Sequence, residues 1–168
     1  MTFTKLAASA ALATTLVATG ALAEDRYSHF GSVEGWNVFT DHEKKSCFIE
    51  SKDDFGNVVQ MGLTRDRGVA YIGVFTTAET DIKKGQKEGV AVVLGDNVYV
   101  GEATGMRGNI TEGYSGGYVL TDDAGIIEQI QKQREMVVFP EKAYGFIMDL
   151  TGTFKAIEMG KECNAAAM

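Results

Sequence analysis

The sequence predicts a mostly β fold, an antiparallel β-sandwich or flattened barrel with two short helices at about 122–134 and 153–163. Three observations predict it. Short runs rich in Val, Ile, Phe, Tyr and Thr recur along the chain, with clusters of Gly, Asp and Asn between them. The helical period of 3.6 shows in only two segments. Strands and helices do not alternate, which disfavours a doubly wound parallel sheet. With 168 residues, 45% of them hydrophobic, and 1 proline, the chain suits one domain and is neither collagen-like nor disordered.

Residues 1–23 are expected to stand outside that fold. Lys5 supplies a positive start, the run from Leu6 to Ala23 carries no charge, and it ends in Ala21-Leu22-Ala23 before Glu24-Asp25. This is the three-part pattern of a secretory signal peptide cleaved after Ala23. An uncleaved anchor is the weaker reading, because the stretch is rich in Ala and Thr and barely long enough to span a bilayer. No Cys follows the cleavage point for lipidation, and no Arg-Arg pair precedes the apolar run for the Tat route. The expectation is a single exported domain over 24–168, with no membrane span after cleavage. Loss of Lys5 takes the net charge from −7 to −8. The Ala-rich leader looks bacterial and points to a Gram-negative periplasm, or to secretion.

Each element follows from local pattern. Residues 24–35 read as an irregular lead-in. Residues 36–40 and 47–49 read as strands around a polar turn at 41–45, and 53–57 has turn composition. Residues 58–64 and 69–76 form a hairpin split by Arg65-Asp66-Arg67-Gly68. The polar, Lys-rich stretch 81–89 reads as a surface loop. Residues 90–94 and 98–100 flank Gly95-Asp96-Asn97, the clearest hairpin signal, since these residues tolerate the positive φ of a tight turn. Residues 101–117 hold six glycines, which suggests a long loop or weak, bulged strands before a strand at 118–120. Ile126, Ile127 and Ile130 share one helical face, with Thr121 or Asp122 available as cap. Residues 136–139 read as a strand stopped by Pro140, and 144–150 alternate as another. Thr151 or Thr153 can cap a final helix carrying Phe154, Ala156, Ile157 and Cys163.

Cys47 and Cys163 are the two cysteines of the chain. In an oxidising compartment an even count without CxxC spacing reads as one structural disulfide. Closing a loop of this order constrains the unfolded chain by about 4.7 kcal/mol in the chain-entropy account, against total stabilities of about 5–15 kcal/mol.

The acidic balance argues against a nucleic-acid partner, which would require a basic stripe. Gly113-Tyr114-Ser115-Gly116-Gly117 satisfies G-x-S-x-G, but a nucleophile elbow needs a strand-to-helix turn and a His after the Ser, and His29 and His42 both precede it. A chymotrypsin-like order, His42 then Ser115, finds Tyr114 where an Asp is required. His29 and His42 with Asp25, Asp41 or Glu43 lack metal-ligand spacing and read as solvated polar residues. Asp53, Asp54 and Asn57 are turn formers rather than an EF-hand. Asn109-Ile110-Thr111 is a glycosylation sequon of little use to a bacterial chain. Tyr71, Phe75, Tyr99, Tyr144 and Phe146 read as core aromatics. Met106, Arg107, Tyr114 and Tyr118, in or beside the glycine-rich stretch, are residue types that interfaces favour; they form a candidate binding loop, set against an ordinary surface loop.

Trp36-Asn37-Val38, Cys47 opening an early strand, and the stretch 146–157 followed by Cys163 together resemble the invasion-associated locus B family of small exported bacterial β-proteins. They are similar also to a type VI secretion-associated periplasmic family that closes with strand, Gly, short helix and Cys. The resemblance implies a non-enzymatic cell-envelope role, with host interaction in some members, and carries no catalytic residue. The residues themselves point the same way: an exported binding module without cofactor or metal, its partner another protein of basic character, drawn by the acidic surface. The alternative is an envelope hydrolase using Ser115 or a carboxylate; a third reading is a structural component of an envelope assembly.

Overall fold

A computed structural model describes residues 26–63, 69–83, 87–104, 106–107, 113–121 and 125–167. The expected signal peptide, the 65–68 turn and the 109–111 sequon lie outside the described residues. The described residues form two antiparallel sheets, packed as a sandwich and not closed into a barrel, with two helices.

The lead-in is a strand rather than irregular chain. β1 (Tyr27–Val33) pairs with β2 (Trp36–Asp41) through a two-residue turn, Glu34-Gly35, at φ 47° and 85°. Two positive φ angles in succession are what the twist of a tight hairpin requires. An irregularity between His29 and Gly31 breaks the period of two, which hides β1 from pattern reading. β3 (Ser46–Lys52), β4 (Val58–Leu63) and β5 (Ala70–Thr76) follow as a meander.

β6 (Lys87–Leu94) and β7 (Asn97–Thr104) form the expected hairpin, longer than its apolar runs, so the surface loop stops short of Lys87. In the described parts of the glycine-rich stretch, β8 (Met106–Arg107) pairs with β9 (Ser115–Thr121); residues 105 and 108–112 lie outside the described residues. α1 (Gly125–Lys132) is shorter than predicted at its C-terminal end, where β10 (Glu135–Val138) needs the chain extended. β11 (Phe146–Asp149) starts after Tyr144, which lies in the preceding turn. α2 (Thr153–Ala166) runs past its predicted end.

The larger sheet is ordered β1-β2-β3-β4-β5-β9-β8 and the smaller β11-β10-β6-β7. Alternation sends Trp36, Val38, Ile49, Val59, Ile72 and Val74 inward from the first, and Val90, Val92, Leu94, Met136, Val138 and Met148 from the second; all are buried. α1 and α2 complete the core with Ile126, Ile130 and Ala156.

α2 lies against β2 and β3 along Ala156, Gly160 and Cys163. Its start differs from the expected Thr cap. Gly152 holds the N-cap at φ 87°, and Thr153 Oγ1 instead donates to the Leu150 oxygen at 2.8 Å. A Cβ on Gly152 would stand 2.5 Å from Glu34 Cβ and 2.9 Å from the Glu34 oxygen, so conformation and space both select glycine. At the other end Cys47 and Cys163 stand at disulfide distance, their Cα atoms 6.0 Å apart, within bridging range. The Cys47 N–H also donates to Asn164 Oδ1 at 2.8 Å.

Candidate functional site

The predicted site residues are distributed over strands. Met106 and Arg107 make β8, with Cα partners Gly116 and Ser115, and Tyr118 is in mid β9. Tyr114 precedes β9, its ring 5.8 Å from Lys52 Nζ on the outer face of β3. The larger sheet's outer face carries two in-register rows. One runs His29, Phe39, Phe48, Gly62, Tyr71, Leu120. The other runs Ser32, Asn37, Glu50, Gln60, Gly73, Tyr118.

Those rows are packed and internally bonded. Phe39 and Phe48 stack at 5.3 Å, and Tyr118 meets Phe75 and Tyr71 edge-on at 5.1 and 5.7 Å. The Tyr118 ring lies over Gly73, where a Cβ would come within 2.4 Å of it. Tyr118 OH donates to Gln60 Oε1 at 2.6 Å, and Gln60 Nε2 to Glu50 Oε2 at 2.6 Å. Burial pushes the Tyr118 hydroxyl up to about 12, and that of Tyr71 further in the same direction. Phe75 is buried, as expected of a core aromatic, and Tyr71 is half-buried, both packed in this outer cluster. Tyr118 thus lies within a strand, packed on its neighbours.

Neither histidine stands near Ser115. Ser115 is buried, opposite Thr76. His29 and His42 bond to Ser32 and Ser28, each at 2.8 Å, at the β1–β2 edge. Five strand spacings separate β1 from β9, about 24 Å. Of the carboxylates grouped with these histidines, Asp41 and Glu43 are both taken by Arg26 at 3.1 and 2.9 Å, and Asp25 lies outside the described residues. Burial alone would raise the Asp41 carboxyl, but hydrogen bonds from Arg26 and the Lys44 N–H prevail and lower it. Among the described residues no group of three or more His, Cys, Asp and Glu is placed to hold a metal ion. Asp53 is the turn former expected, accepting the N–H groups of Phe55 and Asn57 at 2.9 and 2.8 Å.

The surface that pattern reading missed is the outer face of the smaller sheet. Ile147, Val137, Val93 and Val98 are successive Cα partners across all four strands. Val100 stands beside them, opposite Ala91. Val98, Val100 and Ile147 are 62%, 75% and 57% exposed, and Val93 and Val137 are half-buried. The strip ends at Glu135 and Asp149, which face each other across β10 and β11 and are both exposed. Like charges directly opposite destabilise a sheet. Hydrogen bonds from Thr151 hold the Asp149 carboxyl below its ordinary range, the wrong direction for a general acid. The missed signal was the run Val90-Ala91-Val92-Val93-Leu94, apolar on both alternating faces although only one face is covered.

A polar depression of about 320 Å³ lies between the β3–β4 turn and the β10–β11 loop, lined by Phe55, Asn57, Thr76 and Tyr144 among others. Beside it Tyr144 OH donates to Asp81 Oδ1 at 2.6 Å, with Lys142 Nζ 3.0 Å from Oδ2. Burial and the Asp81 bond push the Tyr144 hydroxyl up to about 12.

Comparison with protein-family models, curated proteins and solved structures gives no match. Among the described residues no helix is long and apolar enough to cross a membrane.

Proposed function

We propose that this chain is a non-catalytic binding module of the bacterial cell envelope, periplasmic or secreted, whose contact surface for a protein partner is the outer face of the smaller sheet. The observation that carries the reading is the exposed row Ile147–Val137–Val93–Val98 with Val100 beside it. Contiguous exposed apolar surface mostly marks an interaction site. The carboxylate pair at its end adds a sign. Glu135 and Asp149 side by side favour a partner that brings a Lys or Arg to them, and the overall net charge of −7 steers the same partner in. The leader sequence supports export, and the resemblance to the invasion-associated locus B family supports an envelope role. Inhibition of a basic envelope hydrolase such as lysozyme is one concrete form.

The test uses the oxidised protein with a photo-crosslinking residue at Val98, at Ile147 or, as control, at Phe55. Envelope extract at low salt should give one shared adduct from Val98 and Ile147 and none from Phe55. The adduct should fade as salt rises and vanish in Glu135→Lys/Asp149→Lys. Adducts that are the same from all three positions, or none from Val98 and Ile147, would sink the reading. Lysozyme serves as the defined probe for the inhibitor form.

A further inference from the structure

A second surface, unrelated to the valine strip, is concave. Residues of α1, α2, β3, β4 and β5 together line a half-enclosed cavity of about 110 Å³. Its walls are almost wholly apolar: Ile49 and Ile72 from the sheet, Ile126 and Ile130 from α1, and Ile157 from α2. On α2, residues 157, 160, 161 and 164 fall on one stripe, so the same face that closes the cavity brings Lys161 to its rim.

The geometry points to a binding site for a short alkyl carboxylate, its hydrocarbon end among the isoleucines and its carboxylate on Lys161 Nζ. Size sets the tail. An apolar cavity of about 150 Å³ holds a benzene ring, so this one takes roughly four or five carbons. Charge sets the head. Lys161 is the one charged side chain among the described lining residues. Asn164 is already committed, accepting from the Cys47 N–H at 2.8 Å and donating to the Gly160 oxygen at 2.9 Å. Among the described residues Lys161 pairs with Glu158, at 2.6 Å and exposed on both sides, which a ligand carboxylate can displace because such pairs contribute little.

The experiment is calorimetric titration of the oxidised protein with butyrate, pentanoate, hexanoate and octanoate, and with hexylamine. Affinity should rise about fourfold per added methylene while the tail still enters the cavity, then level off. Hexylamine should bind at least tenfold more weakly than hexanoate. Lys161→Ala should erase that preference, and Glu158→Gln should strengthen hexanoate. Ala70→Leu, which adds bulk to the cavity wall, should abolish binding with the fold intact by circular dichroism; Ile127→Phe does the same if Ala70→Leu fails to fold. No heat with hexanoate at 20 mM, equal binding of the amine, or undiminished binding by a folded filled variant would overturn the assignment. Adducts formed through Val98 are untouched by Lys161→Ala, so this proposal and the docking strip fail separately.

Discussion

The indole N–H of Trp36 donates to the main-chain oxygen of Thr151 at 3.0 Å, joining the first residue of β2 to the turn that launches α2. Trp36 is 1% exposed, so it anchors the core and ties down one end of the helix at once. The cysteine pair ties the other end, and Thr40 Oγ1 stands 3.4 Å from Cys163 Sγ beside it.

Trp36→Phe keeps an aromatic ring and removes the N–H. Leaving the Thr151 oxygen unpaired is expected to cost about 1–3 kcal/mol, and Trp36→Ala about 3–5 kcal/mol. Urea unfolding of the oxidised variants measures both, and a Trp36→Phe variant as stable as the parent would show that the hydrogen bond contributes nothing.

Reducing Cys47–Cys163 releases a loop spanning a sequence separation of 116 residues. The expected loss is about 2–5 kcal/mol. Hydrogen exchange should show the effect first in α2 around Cys163, while β6 and β7 keep their protection.

Gly73→Ala puts a methyl group into the Tyr118 ring, so it should destabilise by about 1–3 kcal/mol and break the Tyr118–Gln60 bond. Tyr118→Ala removes the obstacle. The double variant should therefore be clearly less damaged than the sum of the two singles. Additive losses would mean that ring and glycine act independently.

The raised hydroxyls give a base-side signature. Tyr118 and Tyr144 each stand near 12 when folded, against about 10 when unfolded. Above pH 10 the unfolded chain therefore binds fewer protons than the folded one, and stability falls as pH climbs from 10 through 12. Absorbance at 295 nm should show these rings ionising late, and Tyr118→Phe should flatten part of the stability loss. On the acid side Asp41 and Asp149 are held low, so their contribution is present above about pH 4 and is lost as pH falls further.

Val98→Thr and Val100→Thr exchange exposed methyl groups for hydroxyls on residues that keep their strand preference. Each should leave stability within about 0.5 kcal/mol, while reducing the binding of a hydrophobic dye to the protein.

What could be read from sequence was local. Gly95-Asp96-Asn97 announced its hairpin because turn chemistry is a property of adjacent residues, and Ile126, Ile127 and Ile130 announced α1 by their spacing. The cysteines suggested their own pairing by number and by the compartment expected for them. β1 escaped because its alternation slips between His29 and Gly31. The valine strip escaped for a deeper reason. Ile147 and Val98 share a row only through the registers of three strand pairs, and each register is set by contacts far apart in sequence. The isoleucine cavity was equally invisible, since it exists only where two helices meet a sheet.

The spacing of the clamp also sets an order of events. Whenever this chain emerges N-terminus first, Cys47 must wait for 116 further residues before Cys163 arrives. At ordinary synthesis rates that interval is roughly 6–23 s. Throughout it the Cys47 thiol has no native partner, so the bridge can close only after α2, which carries Cys163, has been made.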